Sequence, residues 1–229
     1  MADYVRSRVV GRAMTSIIVF FSLLALVMFL PAGIGWWQGW LFFATFLFQL
    51  VIGAIYIWRR NPDLIIARSR MQKGTKGWDK LVFYVLQVSL LAEFVVSALD
   101  GKYSLSLAPA WVIVVGYVLF TVGIVGCFWV LSKNKFAEMT VRIQTERGHK
   151  VIDTGPYAIV RHPMYVACFV LFPGIALALG SFWALIPASL VCVILAVRTG
   201  LEDRTLQMEL DGYKGYASRV RYRLIPGVW

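Results

Sequence analysis

The chain has 229 residues, of which 59% are apolar and only 15% are charged. This composition is too hydrophobic for a soluble domain of that length and is typical of a multispan helix bundle. The net charge of +11 does not indicate a nucleic-acid partner, because no basic recognition domain stands outside the apolar segments. We therefore predict an all-α, polytopic membrane protein surrounded by membrane lipids, with no nucleic acid bound.

Six apolar segments approach the length of about 20 residues that a helix needs to cross ~30 Å of hydrocarbon. In chain order, these predicted spans are Ala13 to Leu30, Trp36 to Trp58, Leu81 to Leu99, Pro109 to Leu131, Pro163 to Leu179 and Phe182 to Val197. The last two are the shortest and are joined only by Gly180-Ser181, so we expect a tight helical hairpin, tilted or partly re-entrant. Five full crossings are the alternative count. The first segment is long and lacks a small-residue cleavage site, which predicts a true span and not a signal peptide.

The basic residues predict the orientation of these spans. They number 23, and 22 of them fall at the N-terminus, between spans two and three, between spans four and five, or after the last span. The N-terminal ones are Arg6, Arg8 and Arg12, and Lys102 is the exception on the other side. Because lysine and arginine are retained on the cytoplasmic side of short loops, we expect both termini to be cytoplasmic.

The first four spans carry few ionisable groups. Gly116, Gly123 and Gly126 in the fourth are spaced to let a neighbouring helix approach closely. Glu93 is the exception, since an acid within a span is costly and indicates function unless it is protonated or bonded to a neighbouring helix. Near the span ends, Trp36 is one of several tryptophans that we interpret as interfacial anchors.

The cysteines do not indicate a metal or a disulfide framework. Cys127, Cys168 and Cys192 lie inside apolar segments and have no Cys-x-x-Cys spacing. With His149 and His162 as the only histidines, we assign no metal.

Two segments after Leu131 differ from the rest of the chain. Residues 133–161 mix Glu, Thr, Gln, His and Gly with Val and Ile, as in an ordered loop. From Arg198 to Asp211 the apolar spacing predicts an amphipathic helix that continues the last span. Both segments are expected on the same face of the membrane, where a site could be built from them.

The residue types in these segments suit a pocket for S-adenosylmethionine, which needs aromatic or apolar walls, backbone donors and an acid. Tyr157 and Tyr165 supply aromatic walls, Glu202 supplies an acceptor, and Pro163 fits the first turn of a helix. On spacing alone the alternative is equally good: a turn followed by a positively charged anchor at the mouth of a span.

A wider set of residues carries a resemblance. It comprises Gln144, His149-Lys150-Val151-Ile152, Gly155-Pro156-Tyr157, Arg161-His162-Pro163-Met164-Tyr165, Arg198, Glu202, Tyr213-Lys214-Gly215-Tyr216 and Arg219-Val220. As a set, over roughly residues 134–229, it resembles the C-terminal half of the isoprenylcysteine carboxyl methyltransferase family. The resemblance implies N-terminal transmembrane helices over residues 1–132 and a catalytic region over 133–229. That region would hold a cofactor loop, a helical hairpin, an amphipathic helix and a cytoplasmic pocket.

The resemblance also implies a role for each matching residue. The residues expected to line the S-adenosylmethionine pocket are Gln144, His149, Lys150, Val151, Ile152, Tyr157, His162, Pro163, Met164, Tyr165 and Glu202. Arg198 is expected to face the acceptor, and as a positioned guanidinium it suits a clamp. The chain is one residue shorter here than the family's eukaryotic pattern, which leaves Glu202 and Asp203 as alternatives for the cofactor acid.

The implied activity is methyl transfer to a lipophilic acceptor, first a prenylcysteine-type carboxylate. Relatives with similar motifs methylate phospholipid amines or small thiols, so these acceptors are alternatives. A second alternative is a NADPH-dependent membrane lipid or sterol reductase, whose cytoplasmic pocket is similar. A channel or transporter is disfavoured, because few polar residues lie in the middle of the spans.

Overall fold

A computed structural model shows a bundle of α-helices. It describes residues 2–68, 74–106 and 108–229, with the backbone alone for residues 2–10, 12–14, 16 and 66. The helices are α1 (Ala2–Ala32), α2 (Trp37–Arg60), α3 (Pro62–Arg68), α4 (Gly77–Tyr103), α5 (Ala110–Lys133), α6 (Pro163–Ala178), α7 (Leu185–Glu209) and α8 (Tyr213–Arg219). Two short 3₁₀ turns, Thr145–Arg147 and Gly155–Ala158, lie between α5 and α6. The described residues contain no β-strand, which confirms the all-α class.

Four helices, α2, α4, α5 and α7, are long and apolar enough to cross a membrane. Two shorter apolar helices accompany them, Ile17–Ala32 within α1 and α6. Only 17% to 33% of each long span's apolar window is buried inside the protein, as expected when lipid covers the remainder. The chain is therefore a multi-pass membrane protein. Which face is cytoplasmic stays a prediction, and the side chains of Arg6, Arg8 and Arg12 lie outside the described ones.

The final helical hairpin and its amphipathic continuation are confirmed, but the connection is longer than the predicted Gly180-Ser181. α6 is short, with 16 residues and a length of about 24 Å. α7 is not short, because its 25 residues include the predicted amphipathic helix as a continuation of the span. No proline interrupts the chain between Val197 and Glu209, so the helical hydrogen bonds run on past the apolar segment. The connection comprises residues 179–184, where Gly180 has a φ of +75°.

The glycines of α5 allow close contact with α6, as predicted. A Cβ added at Gly116 would lie 2.2 Å from the backbone nitrogen of Ala178, and one added at Gly123 would lie 2.7 Å from the Cα of Leu171. At Gly126 the nearest atom would be the Cβ of Ala167, at 3.1 Å. The two helices therefore pack backbone to backbone along their length.

The two ends of the bundle are built differently. We call the end that carries α3, residues 134–162 and α8 the basic end, and the other the opposite end. At the opposite end an aromatic and aliphatic core fills the space between the helices, with Phe42 and Phe120 fully buried. Trp36 belongs to this core with an exposed fraction of 5%, so its interpretation as an interfacial anchor is wrong. Its ring lies against Gly39 and Gly101, where the missing side chains leave room for it.

Glu93 lies on α4 and is fully buried. Neither carboxylate oxygen has a hydrogen-bond partner among the described residues. Glu93 is also absent from the walls of the cavity described below. Its predicted functional importance stays a prediction.

Candidate active site

A cavity of about 360 Å³ opens at the basic end between α4, α5, α6 and α7. This volume lies in the range typical of small-molecule sites. Residues 134–162 and the C-terminal part of α7 supply its polar walls. Deeper in the bundle the walls are apolar and include Leu86 and Leu90 of α4, Phe172 of α6 and Leu195 of α7. The cavity can thus bind a polar ligand next to an apolar ligand.

Eleven of the twelve residues assigned to the site from the sequence line this one cavity. They are Gln144, His149, Lys150, Val151, Ile152, Tyr157, His162, Met164, Tyr165, Arg198 and Glu202. Pro163 is buried at the first position of α6, where its missing N–H costs no hydrogen bond. It therefore sets where α6 begins and leaves the cavity wall to Met164 and Tyr165.

Gln144 has an exposed fraction of 1%, and its side-chain amide is used inside the loop. Its Nε2 donates to the Phe136 carbonyl at 2.7 Å, and its Oε1 accepts from Arg147 Nη1 at 2.6 Å. Its backbone carbonyl accepts from the His149 N–H at 3.2 Å. Gln144 consequently holds the loop in shape around the cavity.

His149 is held as the neutral imidazole. Its Nδ1 accepts a hydrogen bond from the Gln144 N–H at 3.3 Å, and its ring lies 4.6 Å from the Phe136 ring. Burial lowers the pKa of His149 from its ordinary value of 6.5. Two and three residues further along, the N–H groups of Val151 and Ile152 have no hydrogen-bond partner among the described residues. They are available as donors to a ligand.

Glu202 presents a carboxylate to the cavity. Its Oε2 accepts a hydrogen bond from the Tyr165 hydroxyl. Within the described part of the chain, no donor is bonded to its Oε1. Glu202 therefore has one acceptor oxygen in place for a ligand.

Asp203 has a different environment, although it is the next residue. It is fully buried, and its carboxylate accepts hydrogen bonds from five side chains: Arg161, His162, Gln207, Tyr213 and Arg223. It is absent from the cavity wall. Asp203 thus joins α7 to the start of α6, to α8 and to the C-terminal residues. Of the two acids, only Glu202 faces the cavity.

Arg198 forms a buried ion pair that the sequence did not reveal. Its Nε lies 2.8 Å from Asp79 Oδ1, and its Nη2 lies 3.1 Å from Asp79 Oδ2. The same Nη2 donates to the Met139 carbonyl at 2.8 Å, and Asp79 Oδ2 accepts from the Val141 N–H at 2.6 Å. Arg198 Nη1 has no acceptor among the described residues, so it is the nitrogen available to a ligand.

Asp79 was missed because it lies 119 residues away from Arg198 and outside every motif. The available signal was an acid in the first turn of a span, where an unpaired charge is costly. Glu138 was missed too, although it lines the cavity. Its side chain is 2% exposed and pairs in bidentate fashion with Arg142, both contacts being 2.8 Å.

Comparison with known families agrees with this geometry. Residues 111–210, somewhat less than half of the chain, match the family model described as phospholipid methyltransferase. That family consists of integral membrane enzymes that use S-adenosylmethionine, and it is related to the isoprenylcysteine carboxyl methyltransferases. No curated protein matches the chain. The match extends from the start of α5 to just past the end of α7 and includes all twelve assigned residues. Residues 111–210 are therefore similar to the phospholipid methyltransferase family.

Proposed function

We propose that this protein transfers a methyl group from S-adenosylmethionine to a lipophilic carboxylate of the prenylcysteine type. One observation carries the proposal: Arg198 and Glu202, four residues apart on one face of α7, line the same cavity, and each keeps one polar atom without a partner among the described residues. An anion and a cationic cofactor could therefore meet at a single point. The apolar part of the same cavity suits a lipid tail.

The residues present fit S-adenosylmethionine. When bound, this group supplies an electrophilic methyl on a sulfonium. The free Glu202 Oε1 suits its cationic or hydroxyl groups, and the unpaired N–H groups of Val151 and Ile152 suit its acceptor atoms. His149 and Tyr157 line the cavity alongside them. We assign these residues to cofactor binding.

The acceptor needs no general base if it is a carboxylate, which is already ionised at neutral pH. The task of the protein is then to align and desolvate the attacking oxygen. Arg198 Nη1 can orient that oxygen, since Asp79 and the Met139 carbonyl fix the guanidinium. Arg198 is thus assigned to the acceptor, with Asp79 as its positioning residue.

A phospholipid amine is the second candidate, favoured by the family match. An ammonium acceptor must lose a proton before it can attack. Glu202 is the carboxylate at the cavity with an oxygen to spare, and using it as a base would compete with cofactor binding. The carboxylate acceptor is simpler for these residues, and we place it first.

A labelled-methyl transfer assay on the purified protein in nanodiscs tests the proposal. We expect transfer to a prenylcysteine carboxylate, and micromolar binding of S-adenosylhomocysteine with no binding of NADPH. Arg198→Lys should preserve cofactor affinity and lower kcat, since a lysine keeps the charge and loses the planar contacts. Methylation of phosphatidylethanolamine or a thiol in place of the carboxylate would change the assigned acceptor. Binding of NADPH without S-adenosylhomocysteine would favour the reductase and overturn the proposal.

A further inference from the structure

Arg68, at the end of α3, lines the same cavity. α3 is fixed across the basic end, where Leu64 is fully buried and Asn61 Nδ2 donates to the Leu131 carbonyl at 3.3 Å. Arg68 Nη1 donates to the Ala137 carbonyl at 2.6 Å. Its guanidinium is therefore held in one place and is partly buried.

Among the described residues, the charge of Arg68 has no acidic partner. Arg198 is paired with Asp79, whereas no Asp or Glu of the described residues lies within salt-bridge distance of Arg68. The adjoining undescribed residues 69–73 include no acid either. Its neighbours in the wall include Cys127 and Cys168, which are thiols and not carboxylates. A partly buried cation without a counter-ion favours an anionic ligand.

Gln87, on α4, is a second unpaired polar group at this cavity. Its side chain borders the cavity and is exposed. Its amide makes no hydrogen bond to any described residue, although α4 is a membrane span. An unsatisfied amide is costly in hydrocarbon. A polar group of a ligand that leaves the cavity beside α4 would satisfy it.

We propose that Arg68 and Gln87 form a subsite for the head of the lipid acceptor. Arg68 binds an anionic oxygen group, a carboxylate or a phosphodiester, and Gln87 hydrogen-bonds polar linker atoms where the tail leaves the cavity. This inference rests on the proposed function. The competing explanation is that Arg68 only supports the loop through the Ala137 carbonyl, and the experiment below is designed to separate the two.

The test compares Arg68→Gln and Arg68→Lys with Arg59→Gln, a matched control at an exposed arginine of the same basic end. All variants are first checked for an unchanged unfolding temperature in nanodiscs of neutral lipid. Arg68→Gln should raise the acceptor KM about ten-fold or more, because a charge-assisted hydrogen bond is lost. Arg68→Lys should recover part of that loss, and Arg59→Gln should have no effect. S-adenosylhomocysteine affinity should be the same in all of them. Gln87→Leu should raise the acceptor KM a few-fold.

Two acceptors identify the source of the anion. If it is the reacting carboxylate of a prenylcysteine, Arg68→Gln should also lower kcat for that acceptor. If it is the phosphodiester of phosphatidylethanolamine, KM should rise with kcat retained. An unchanged KM for every acceptor, or a loss of S-adenosylhomocysteine affinity as large as the KM effect, would overturn the subsite.

A binding measurement that does not depend on methyl transfer tests the subsite independently of the proposed function. Binding of a fluorescent alkyl phosphate, with the matching alkyl alcohol as blank, should weaken about ten-fold in Arg68→Gln and remain unchanged in Arg59→Gln. If the wild-type protein binds the alkyl phosphate through Arg68 but not S-adenosylhomocysteine, the methyltransferase proposal fails and the anion subsite stands. If the wild-type protein binds S-adenosylhomocysteine but the affinity for the alkyl phosphate is the same in Arg68→Gln, the subsite proposal is wrong and the methyltransferase proposal stands.

Discussion

The two ends of the bundle use buried acids in opposite ways. At the opposite end, Asp100 accepts hydrogen bonds from the Ser106 N–H at 2.6 Å and from the hydroxyls of Ser106 and Ser181. Its described partners are neutral, and the core beside it is closely packed. At the basic end, Asp79 and Asp203 are bound to Arg198 and Arg161, and these two arginines line the cavity. At the opposite end, hydrogen bonds from serine hydroxyls are enough to hold a loop against a packed core. At the basic end, ion pairs hold the polar side chains that line the cavity.

The difference shows how one helix bundle can contain a cavity and still hold its walls in place. α5 and α6 are in backbone contact along the glycines, so one wall of the cavity is fixed by packing. The facing wall includes Arg198, whose guanidinium is bonded to Asp79 of α4 and to the Met139 carbonyl. Removing an ion pair at the basic end should therefore lower the free energy of unfolding more than removing neutral hydrogen bonds at the opposite end.

The largest expected effect is that of Asp203→Asn. It leaves Arg161 and Arg223 without their carboxylate, and breaking a buried pair typically costs about 3–5 kcal/mol. Asp100→Asn loses bonds to neutral donors and should cost about 1–3 kcal/mol. Unfolding of both variants in detergent, followed by far-UV circular dichroism, measures the difference. An Asp100 variant as unstable as the Asp203 variant would contradict the comparison.

Glu202→Gln should act on binding instead of stability. It removes the charge of the acid that, among the described residues, has a free oxygen at the cavity, so S-adenosylhomocysteine affinity should fall roughly 10–100-fold. Glu209→Gln is the control on the same helix, because Glu209 pairs with Lys76 outside the cavity wall. Isothermal titration measures both affinities. Equal affinities in the two variants would remove Glu202 from the site.

Gly116→Ala should test the packed wall. The added Cβ would lie 2.2 Å from the Ala178 nitrogen, so the helices must separate at a cost of about 1–3 kcal/mol. Gly200→Ala, in α7, has nothing within 4 Å and should be neutral or stabilising by about 0.5–1 kcal/mol. Unfolding temperatures of the two variants give the comparison. A destabilised Gly200 variant beside an unaffected Gly116 variant would mean that α5 and α6 are not packed in this way.

The smallest effect is expected from His149 and pH. Because burial lowers the pKa of His149, the folded protein binds fewer protons there than the unfolded chain does. The stability contribution is complete above the ordinary pKa of 6.5 and is lost as the pH falls through the lower folded value. His149→Gln should remove this part of the pH dependence between pH 7.5 and 5.0. The same pH dependence of the free energy of unfolding in wild type and variant would show that His149 is not buried as the neutral form.

Much of the site was predictable, because the motif residues are concentrated in one run. Gln144 to Tyr165 form a continuous segment that the chain must place at one mouth of a span, and eleven of the twelve assigned residues line one cavity. The use of each side chain was not predictable. Gln144 is bonded within its own loop, and Arg198 needs Asp79, because hydrogen-bond partners depend on distant segments that no local pattern contains.

The sequence by itself determined the helical class, the apolar spans and the close approach of α5 to its neighbour, since hydrophobic length and small residues act locally. The tertiary structure alone decided which of two adjacent acids faces the cavity. Successive residues of a helix differ by about 100° in direction, so Glu202 reaches the cavity while Asp203 meets Arg161. It also buried Trp36 and left Trp37 exposed. The directions of side chains within a helix are fixed by its geometry, but which direction meets a partner depends on how the helices pack.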